Sequence, residues 1–340
     1  MTKSGKTVLV KRIFPKNEVI WIDGGHIGSE EDLWSAISIQ HDSYAGNTTE
    51  ADIISVRSKS RISTLRTIVA RSLQGSLRPI IIDDFHYLDK ELQAQVIRFL
   101  KPVILEGAPV IIIAIPHTRY DTVKVEREMT GRVRTIDVPA WKHDELLQIA
   151  KVGFPLLNMH VEDIDNNTLV QEALGSPHLM QEFCLELCRK EGVIQTEFVL
   201  TKITPSDYLD ELFHKVAEDT SRTMFEKLAK GPRKRTDRNE RKLKDGKVTD
   251  IYGLVLKALS NLQPGTDTIQ NDSIRNSIKQ ILLDDTPKTH EISRVIERMA
   301  DIAASDATSA PVIEWNKTEQ ELHIIDPFFA YYLKWGQSNE

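Results

Sequence analysis

The sequence predicts a three-part fold, in which a parallel α/β sheet is followed by an all-α region and then by three helices with a β-hairpin. Two β-branched runs, Pro79–Asp83 and Val110–Ile115, predict the sheet, because such runs are typical of strands covered by helices on both faces. A helical pattern, Leu92–Leu100, separates them, and the strand-like signal stops at Trp141. Ligands bind at the carboxyl ends of the strands in parallel sheets, so the polar residues after both runs mark the expected site.

The remaining elements of the first part follow in order along the chain. A short strand-like run, Glu18–Asp23, ends in the turn residues Gly24 and Gly25. Three further patterns have apolar residues at the spacing of one helix face, and they are Lys6–Phe14, Glu31–Ile39 and Ser63–Leu73. We therefore expect residues 1–138 to form the sheet domain.

Helical spacing and punctuation by Gly and Pro define the rest of the chain. Helical patterns cover 142–152, 167–187 and 200–230, and Gly175-Ser176-Pro177 interrupts the second. We expect residues 139–230 to form an all-α lid. The segment 231–248 opens with Gly-Pro and is rich in Lys and Arg, so we expect a basic linker. Contact of the run 233–247 with nucleic-acid phosphates is the alternative, although Asp237, Glu240 and Asp245 interrupt the run.

Residues 249–340 contain three helical stretches and two strand-like runs. The helical stretches lie at about 249–262, 269–283 and 289–304, and the runs are Pro311–Trp315 and Glu321–Ile325. Three helices and a β-hairpin in this order predict a winged-helix domain.

Length and composition bound the function classes. A chain of 340 residues is long enough for two or three domains, and its net charge of −6 gives no global indication of nucleic-acid binding. No stretch approaches the roughly 18–20 continuous apolar residues of a membrane span. Two cysteines, Cys184 and Cys188, do not make the disulfide framework of a secreted domain. We therefore expect a cytoplasmic protein without a membrane partner.

The first residues carry half of a phosphate-binding motif. Ser4-Gly5-Lys6-Thr7 match the second half of the P-loop signature G-x-x-x-x-G-K-[ST], and the first Gly of the signature would precede Met1. In a P-loop the backbone N–H groups, here of Ser4 to Val8, wrap the phosphates of a nucleotide. Lys6 would contact the β- and γ-phosphates, and the hydroxyl of Thr7 would bind Mg²⁺.

The cut in this motif leaves two expectations. Without the strand that leads into a P-loop, the sheet would expose an unpaired edge, so we expect a longer form of the chain to be more stable. One alternative is a non-enzymatic interaction protein whose degenerate P-loop no longer holds nucleotide.

A second motif supports nucleotide binding. Ile80-Ile-Ile-Asp83-Asp84, 76 residues after the P-loop, is an apolar strand that ends in two acids, as in the Walker B motif. Asp83 would hold Mg²⁺ through its water shell. Asp84 would act as the general base that polarises the attacking water. Together the two motifs predict an α/β P-loop NTPase core.

The end of the next strand offers further candidate residues. Pro116-His117-Thr118-Arg119 follow Ile111–Ile115, where P-loop ATPases place a polar sensor of the γ-phosphate. Arg119 would neutralise phosphate charge, and His117 or Thr118 would donate a hydrogen bond. A solvated loop is the alternative.

In combination, these motifs resemble the STAND-type ATPases, a signalling branch of the AAA+ superfamily. The resemblance rests on the P-loop, the Asp-Asp Walker B motif, the strand-end Thr-Arg, the Gly-x-Pro motif in the lid and the ending Ile325–Trp335. It implies that ATP binds between the sheet domain and the lid, with Pro177 against adenine. It also implies a slow, regulatory ATPase that forms homo-oligomers on ATP binding and acts on a protein effector. No guanine-reading Asn/Thr-Lys-x-Asp motif is present.

A DNA-acting AAA+ ATPase, such as an origin-recognition-like or transposition-regulating protein, is the second alternative. The recognition helix of the winged helix would be 289–304, with Lys288, Arg294 and Arg298 facing phosphates. Glu291, Glu297 and Asp301 lie on the same stretch and would repel them, so we favour a winged helix that works as part of a switch.

Two other groups of residues carry weaker indications. Arg127, Arg132 and Arg134 are candidates for an arginine finger, although structural arginines are the simpler interpretation. Cys184 and Cys188 lie one helical turn apart, and a buried helix face explains them better than half of a metal site does.

Overall fold

A computed structural model of the chain describes residues 3–45, 67, 69–71, 73, 78–115, 133–232, 239–305 and 310–336. The chain divides into two compact units, Gly5–Val138 and Pro139–Glu340, and Met1–Ser4 belong to the second. Among the described residues, no helix has both the length and the apolar character needed to cross a bilayer.

The first unit is a parallel sheet with helices. Its strands are β1 (Ile20–Asp23), β2 (Ile80–Asp83) and β3 (Val110–Ile112), in the order β1-β2-β3. Both pairs are parallel, and the register aligns Asp23 with Asp83 at the carboxyl ends. The helices are α1 (Lys6–Ile13), α2 (Glu30–Ala45) and α3 (Lys90–Leu105), and the described residues of 67–73 are also helical. The predicted parallel α/β fold is confirmed.

Burial explains why the β-branched runs become central strands. Ile80, Ile81 and Ile82 are all completely buried, so both faces of β2 are covered. Each such side chain contributes about 1.5–3 kcal/mol relative to an exposed one. Helix α3 begins where Asp89 caps it, because the Asp89 side chain accepts a hydrogen bond from the Leu92 N–H at 2.8 Å.

One edge of this sheet and one helix are poorly covered. Within the described residues, β3 pairs with β2 alone. Helix α1 contains no buried residue, and its apolar side chains Val8, Leu9 and Ile13 are 61%, 47% and 60% exposed. The greater stability of an extended form stays a prediction.

The second unit begins with a helical region. Its helices are α4 (His143–Leu156), α5 (Asp163–Glu172), α6 (Pro177–Lys190) and α7 (Leu209–Lys230). They pack around a core that includes Phe183 and Phe213, whose rings are 5.3 Å apart. The region is not purely helical, since β4 (Met159–Val161) and β5 (Thr201–Ile203) form a two-stranded parallel sheet. Runs of three residues are too short to show a strand period in the sequence.

The segment expected to be a linker contains structure of its own. Two short strands, β6 (Arg241–Lys242) and β7 (Val248–Thr249), form an antiparallel hairpin. Residues 233–238, which carry the other basic side chains of this segment, lie outside the described residues.

A winged helix follows, with the predicted order of elements. Its helices are α8 (Ile251–Leu262), α9 (Asn271–Ile281) and α10 (Thr289–Ala304), and its strands are β8 (Thr268–Gln270), β9 (Ile313–Asn316) and β10 (Glu321–Ile324). The strands form an antiparallel sheet in the order β8-β10-β9. The sequence prediction lacks β8, which is only three residues long.

Helices α7 and α11 (Pro327–Trp335) join the helical core to the winged-helix core. Phe328, Tyr331 and Tyr332 of α11 pack into the helical core, whereas Phe329 and Leu333 pack into the core of the winged helix. The two cores therefore share the side chains of α7 and α11 within one compact unit.

Candidate nucleotide site

Gly5 allows the chain to turn into helix α1. Gly5 has a φ of 88° in the left-handed region and precedes Lys6, the first helical residue. Its carbonyl accepts the first helical hydrogen bond, from the Leu9 N–H at 2.8 Å. The N–H groups of the first turn have no partner within a helix, so this end can bind an anion. Lys6 and Thr7 lie in that turn, and Val8 points away with 61% exposure.

The structure brings the two halves of the predicted site together. The Thr7 hydroxyl donates a hydrogen bond to Asp83 Oδ1 at 3.0 Å, although the residues are 76 positions apart. The Asp84 N–H donates to the same oxygen, also at 3.0 Å. Asp83 is 5% exposed, so its carboxylate is fixed in a nearly dry environment.

The turn after β2 is constrained by the turn after β1. Asp84 has a φ of 49°, which is unusual for a residue with a Cβ. A Cβ at Gly24 would lie only 2.5 Å from the Asp84 carbonyl oxygen, so Gly24 is required for this close approach. A left-handed non-glycine residue held in place by its neighbours is a common feature of functional sites.

Burial and like charges shift the pKa values at this sheet edge. Burial first, and then the charge of Asp84, raises the pKa of Asp83. Burial and then Asp23 raise the pKa of Asp84, against the attraction of Lys6. Burial lowers the pKa of Lys6, although both carboxylates oppose the shift. Repelling carboxylates in a partly buried site are a suitable environment for a cation.

These residues fit a magnesium ion with bound phosphates. Thr7 Oγ1 and Asp83 Oδ1 are in contact, and hydroxyl and carboxylate oxygens are the ligands that Mg²⁺ prefers. A divalent cation would compensate the negative charge that raises the pKa of Asp83 and Asp84. Lys6 lies in the same first turn of α1 as Thr7.

His86 lies next to the acidic pair and has unsatisfied nitrogens. Both ring nitrogens are buried, and neither has a hydrogen-bond partner in the described part of the chain. The ring packs on Tyr87 with centroids 4.4 Å apart. Burial, followed by the charge of Lys6, lowers the pKa of His86 to about 4, so the imidazole is neutral. In the sequence, His86 is marked as a residue of this site only by its position directly after the acidic pair and Phe85.

Asp23 is a residue of this sheet edge that the sequence motifs do not identify. It ends β1 opposite Asp83, and its charge raises the pKa of Asp84. The rule that ligands bind at carboxyl strand ends could have found it, since it ends a predicted strand in the same way as Asp83 does.

Arg134 is the one other candidate residue of the first unit that the structure describes. His117, Thr118 and Arg119 lie outside the described residues, as do Arg127 and Arg132. Arg134 is exposed and lies in a segment without regular secondary structure.

Pro177 belongs to the second unit, where it is the buried first residue of α6. Ser176 caps that helix, and Gly175 precedes it with a φ of 71°. The Trp141 N–H donates to the Gly175 carbonyl at 3.0 Å, and the Trp141 indole donates to the Ser4 carbonyl at 3.2 Å. The Gly-x-Pro turn is therefore fixed within its own unit.

The winged helix presents a basic surface on α10. Arg294 and Arg298 are exposed, and within the described chain no carboxylate pairs with either. Two of the three acids expected to repel phosphate have partners: Glu291 accepts a hydrogen bond from the Lys288 N–H at 2.8 Å, and Glu297 pairs with Lys317 at 3.0 Å.

Cys184 and Cys188 behave as expected for a buried helix face. The Cys188 thiol lies 3.7 Å from the sulfur of Met159, and burial raises the pKa of both cysteines. No group of three metal-binding side chains occurs among the residues that the structure describes.

Comparisons with known proteins give only distant likenesses. Neither protein-family models nor curated protein sequences match this chain. Among solved structures, the chain is similar to Cdc6p from Pyrobaculum aerophilum, with a TM-score of 0.43, 11% identity and coverage of 97% of this chain and 85% of that one. It is also similar to the Aeropyrum pernix ORC1 protein in complex with DNA, with a TM-score of 0.42, 11% identity and coverage of 98% and 84%. Likenesses at this level carry no argument about function.

Proposed function

We propose that this chain is a P-loop ATPase of the AAA+ type that binds Mg²⁺·ATP at the carboxyl end of its parallel sheet. The hydrogen bond of 3.0 Å between Thr7 and Asp83 carries the proposal, because it joins the P-loop helix to the acidic strand end. These are the two groups that hold the metal in P-loop NTPases. The turn at Gly5 and the N-terminus of α1 add an anion-binding end beside them.

Each residue of the site has a separate role. Lys6 binds the β- and γ-phosphates, and the N–H groups of Ser4 to Val8 surround them. Thr7 and Asp83 hold Mg²⁺, which when bound neutralises phosphate charge. Asp84, whose raised pKa brings it closer to neutrality, accepts the proton of the attacking water.

Three further roles come from the family resemblance alone. Arg119 and His117 would sense the γ-phosphate, and Pro177 would contact adenine. A regulatory output through ATP-driven self-association and a protein effector belongs to the same resemblance.

Binding of labelled ATP with and without Mg²⁺ tests the proposal. We expect wild type to bind in a Mg²⁺-dependent manner and Lys6→Ala to lose at least tenfold in affinity, because a charge-assisted phosphate contact is removed. Lys16→Ala removes an exposed lysine of the same unit and should bind as wild type does. Asp84→Asn should still bind but hydrolyse about 100-fold more slowly.

Equal binding by wild type and Lys6→Ala would contradict this site. Absence of binding by wild type would favour the non-enzymatic interaction protein with a degenerate P-loop.

A second candidate function is DNA binding by the winged helix, as in the DNA-acting alternative. The exposed pair Arg294 and Arg298 favours it, since both lie on the helix that enters the major groove in helix-turn-helix proteins. Glu297 forms an ion pair with Lys317, which offsets its charge, whereas Glu291 accepts a hydrogen bond from the Lys288 backbone N–H and keeps its charge. Asp301 lies about 18 Å along the helix from its first residue, Thr289.

Fluorescence anisotropy with labelled duplex DNA tests this candidate. We expect Arg294→Ala/Arg298→Ala to weaken binding by roughly tenfold or more, because two contacts are removed from the recognition helix. The control Lys151→Ala/Lys202→Ala removes two exposed lysines from the helical region and should bind as wild type does. Equal binding by both variants would rule out α10 as the contact.

A further inference from the structure

The β6–β7 hairpin is rigidly attached to the turn between α9 and α10. The Leu283 N–H donates to the Lys242 carbonyl, and the Lys244 N–H donates to the Ile281 carbonyl, both at 2.9 Å. Leu243, between the two lysines, forms an isolated bridge with Leu282 and is 3% exposed in the winged-helix core. The hairpin is therefore a fixed part of the winged helix.

The turn of the hairpin is also ordered by its own hydrogen bonds. The Gly246 N–H donates to the Leu243 carbonyl at 3.0 Å, and Gly246 has a φ of 85°, which favours glycine. The Leu243 N–H donates to the Lys247 carbonyl at 2.9 Å. Little conformational freedom of the hairpin backbone would be lost on binding a partner.

The lysines of the hairpin and its acid, Asp245, make different contacts. Lys242, Lys244 and Lys247 are all exposed. Asp245 turns back, accepts a hydrogen bond from the Lys247 N–H at 2.9 Å and lies 3.7 Å from Lys257. The donor in this hydrogen bond is the backbone N–H of Lys247, so the bond does not involve the Lys247 ammonium group.

Three further exposed acids lie near these lysines, Glu240, Asp284 and Asp285. The Asp284 carboxylate accepts a hydrogen bond from the Lys242 N–H at 2.7 Å and keeps its charge. The Lys244 ammonium donates to the Lys279 carbonyl at 3.1 Å and stays exposed. The side chains of all three lysines are therefore open to solvent on a surface of mixed charge.

The position of the hairpin indicates what it would contact. In a helix-turn-helix the N-terminal residues of the second helix meet the base edges, and the first helix crosses the phosphate backbone. The hairpin is bonded to the end of α9 and to the turn that leads through Lys288 into α10. Its lysines therefore lie on the side of the winged helix where the phosphate backbone would pass.

We infer that the β6–β7 hairpin is a second DNA-contacting element, whose Lys242, Lys244 and Lys247 bind the phosphates of duplex DNA that flank the groove occupied by α10. This inference rests on the DNA-binding candidate function. Lysine contacts to phosphates supply affinity without sequence preference, whereas the α10 arginines would supply the preference.

Anisotropy titrations over a range of salt concentrations test the hairpin, with Lys242→Ala/Lys244→Ala/Lys247→Ala in the full chain. We expect roughly tenfold weaker binding to every duplex sequence, and a salt slope that falls by about 2–3, close to 0.9 for each phosphate that is no longer neutralised. Lys90→Ala/Lys151→Ala/Lys202→Ala removes the same charge from exposed positions elsewhere and should keep the wild-type slope. The arginine variant Lys242→Arg/Lys244→Arg/Lys247→Arg should restore it.

The outcomes distinguish failure of the hairpin inference from failure of the DNA-binding candidate function. If wild type binds DNA and the hairpin alanine variant keeps the wild-type slope, the hairpin does not bind phosphates, while DNA binding by α10 stands. If wild type does not bind duplex DNA at all, both the DNA-binding candidate and the role of the hairpin fail. Tighter binding of duplex RNA of the same sequence would overturn the assignment to DNA.

Discussion

At the scale of single residues, the acidic pair Asp83 and Asp84 after β2 favours binding of a cation but lowers the stability of the fold without one. Burial raises the pKa of Asp83 and Asp84, which means that the folded protein resists ionising them. Ionised carboxylates in such a site destabilise the cation-free protein, and binding of a cation offsets this cost.

The cost of ionising Asp83 in the folded protein should be visible in how the free energy of unfolding changes with pH. Between its ordinary pKa of 3.8 and its raised folded-state pKa, the folded state binds more protons than the unfolded state, so this group makes stability fall as pH rises through that window. The cost is absent below the ordinary value and grows as pH rises through the window. We therefore expect Asp83→Asn to raise the melting temperature of the nucleotide-free protein at pH 7 and not at pH 3.5.

Melting curves of both proteins without Mg²⁺ across this pH range measure the effect. Asn keeps the oxygen that accepts from Thr7, so the hydrogen bond of 3.0 Å is preserved in the variant. A variant that melts below wild type at pH 7 would show that the ionised carboxylate stabilises the fold.

At the scale of elements, two glycines of the helical region should respond oppositely to the same substitution. Gly175 has a φ of 71°, and its added Cβ would lie 2.8 Å from the Ala140 Cβ. Gly153 lies within α4, and its added Cβ would have nothing within 4 Å. We expect Gly175→Ala to destabilise by at least about 1–2 kcal/mol and Gly153→Ala to stabilise by up to about 1 kcal/mol. Urea unfolding gives the change in the free energy of unfolding for each variant. A Gly175→Ala variant as stable as wild type would contradict the strained turn.

Elements are predictable from the sequence when their apolar pattern is long or when, as in β3, a β-branched run marks them. Helix α10, with 16 residues, has the bounds that its sequence predicts, because its apolar positions repeat over several turns. Strands β4, β5 and β8 have three residues each and are absent from the sequence prediction. Their formation depends on partners distant in the chain, such as β5 for β4 and β10 for β8.

At the scale of the whole molecule, residues 139–340 should fold without the sheet unit. The helical core and the winged-helix core both lie within this range, and α7 and α11 contribute side chains to each. The carboxylate of Glu172 accepts hydrogen bonds from Lys334 and Trp335 at 2.8 and 2.7 Å, which fixes the end of α11 to α5. We expect a 139–340 fragment to melt cooperatively and to bind duplex DNA with the affinity of the full chain.

Calorimetry of the fragment and the full chain tests this independence. The fragment transition should coincide with one of the transitions of the full chain. A fragment that lacks a cooperative transition would mean that its two cores require the sheet unit.

The chemistry predicted for the candidate site follows from short stretches of sequence. A Gly-Lys-Thr string before a helix and two acids after a β-branched run indicate an anion-binding end and a cation-binding end. Which of these charged groups meet depends on the fold. Thr7 reaches Asp83 across 76 residues, and Asp23 joins them, because parallel strands end at the same edge.

The same distinction holds for the basic surface of the winged helix. The sequence shows acids interspersed among the lysines and arginines, and this arrangement argues against binding to phosphates. Folding turns Asp245, Asp284, Glu291 and Glu297 toward backbone N–H groups or lysines and leaves Lys242, Arg294 and Arg298 exposed. Charge balance along a chain is additive, whereas the field at a surface depends on where the fold places each charge.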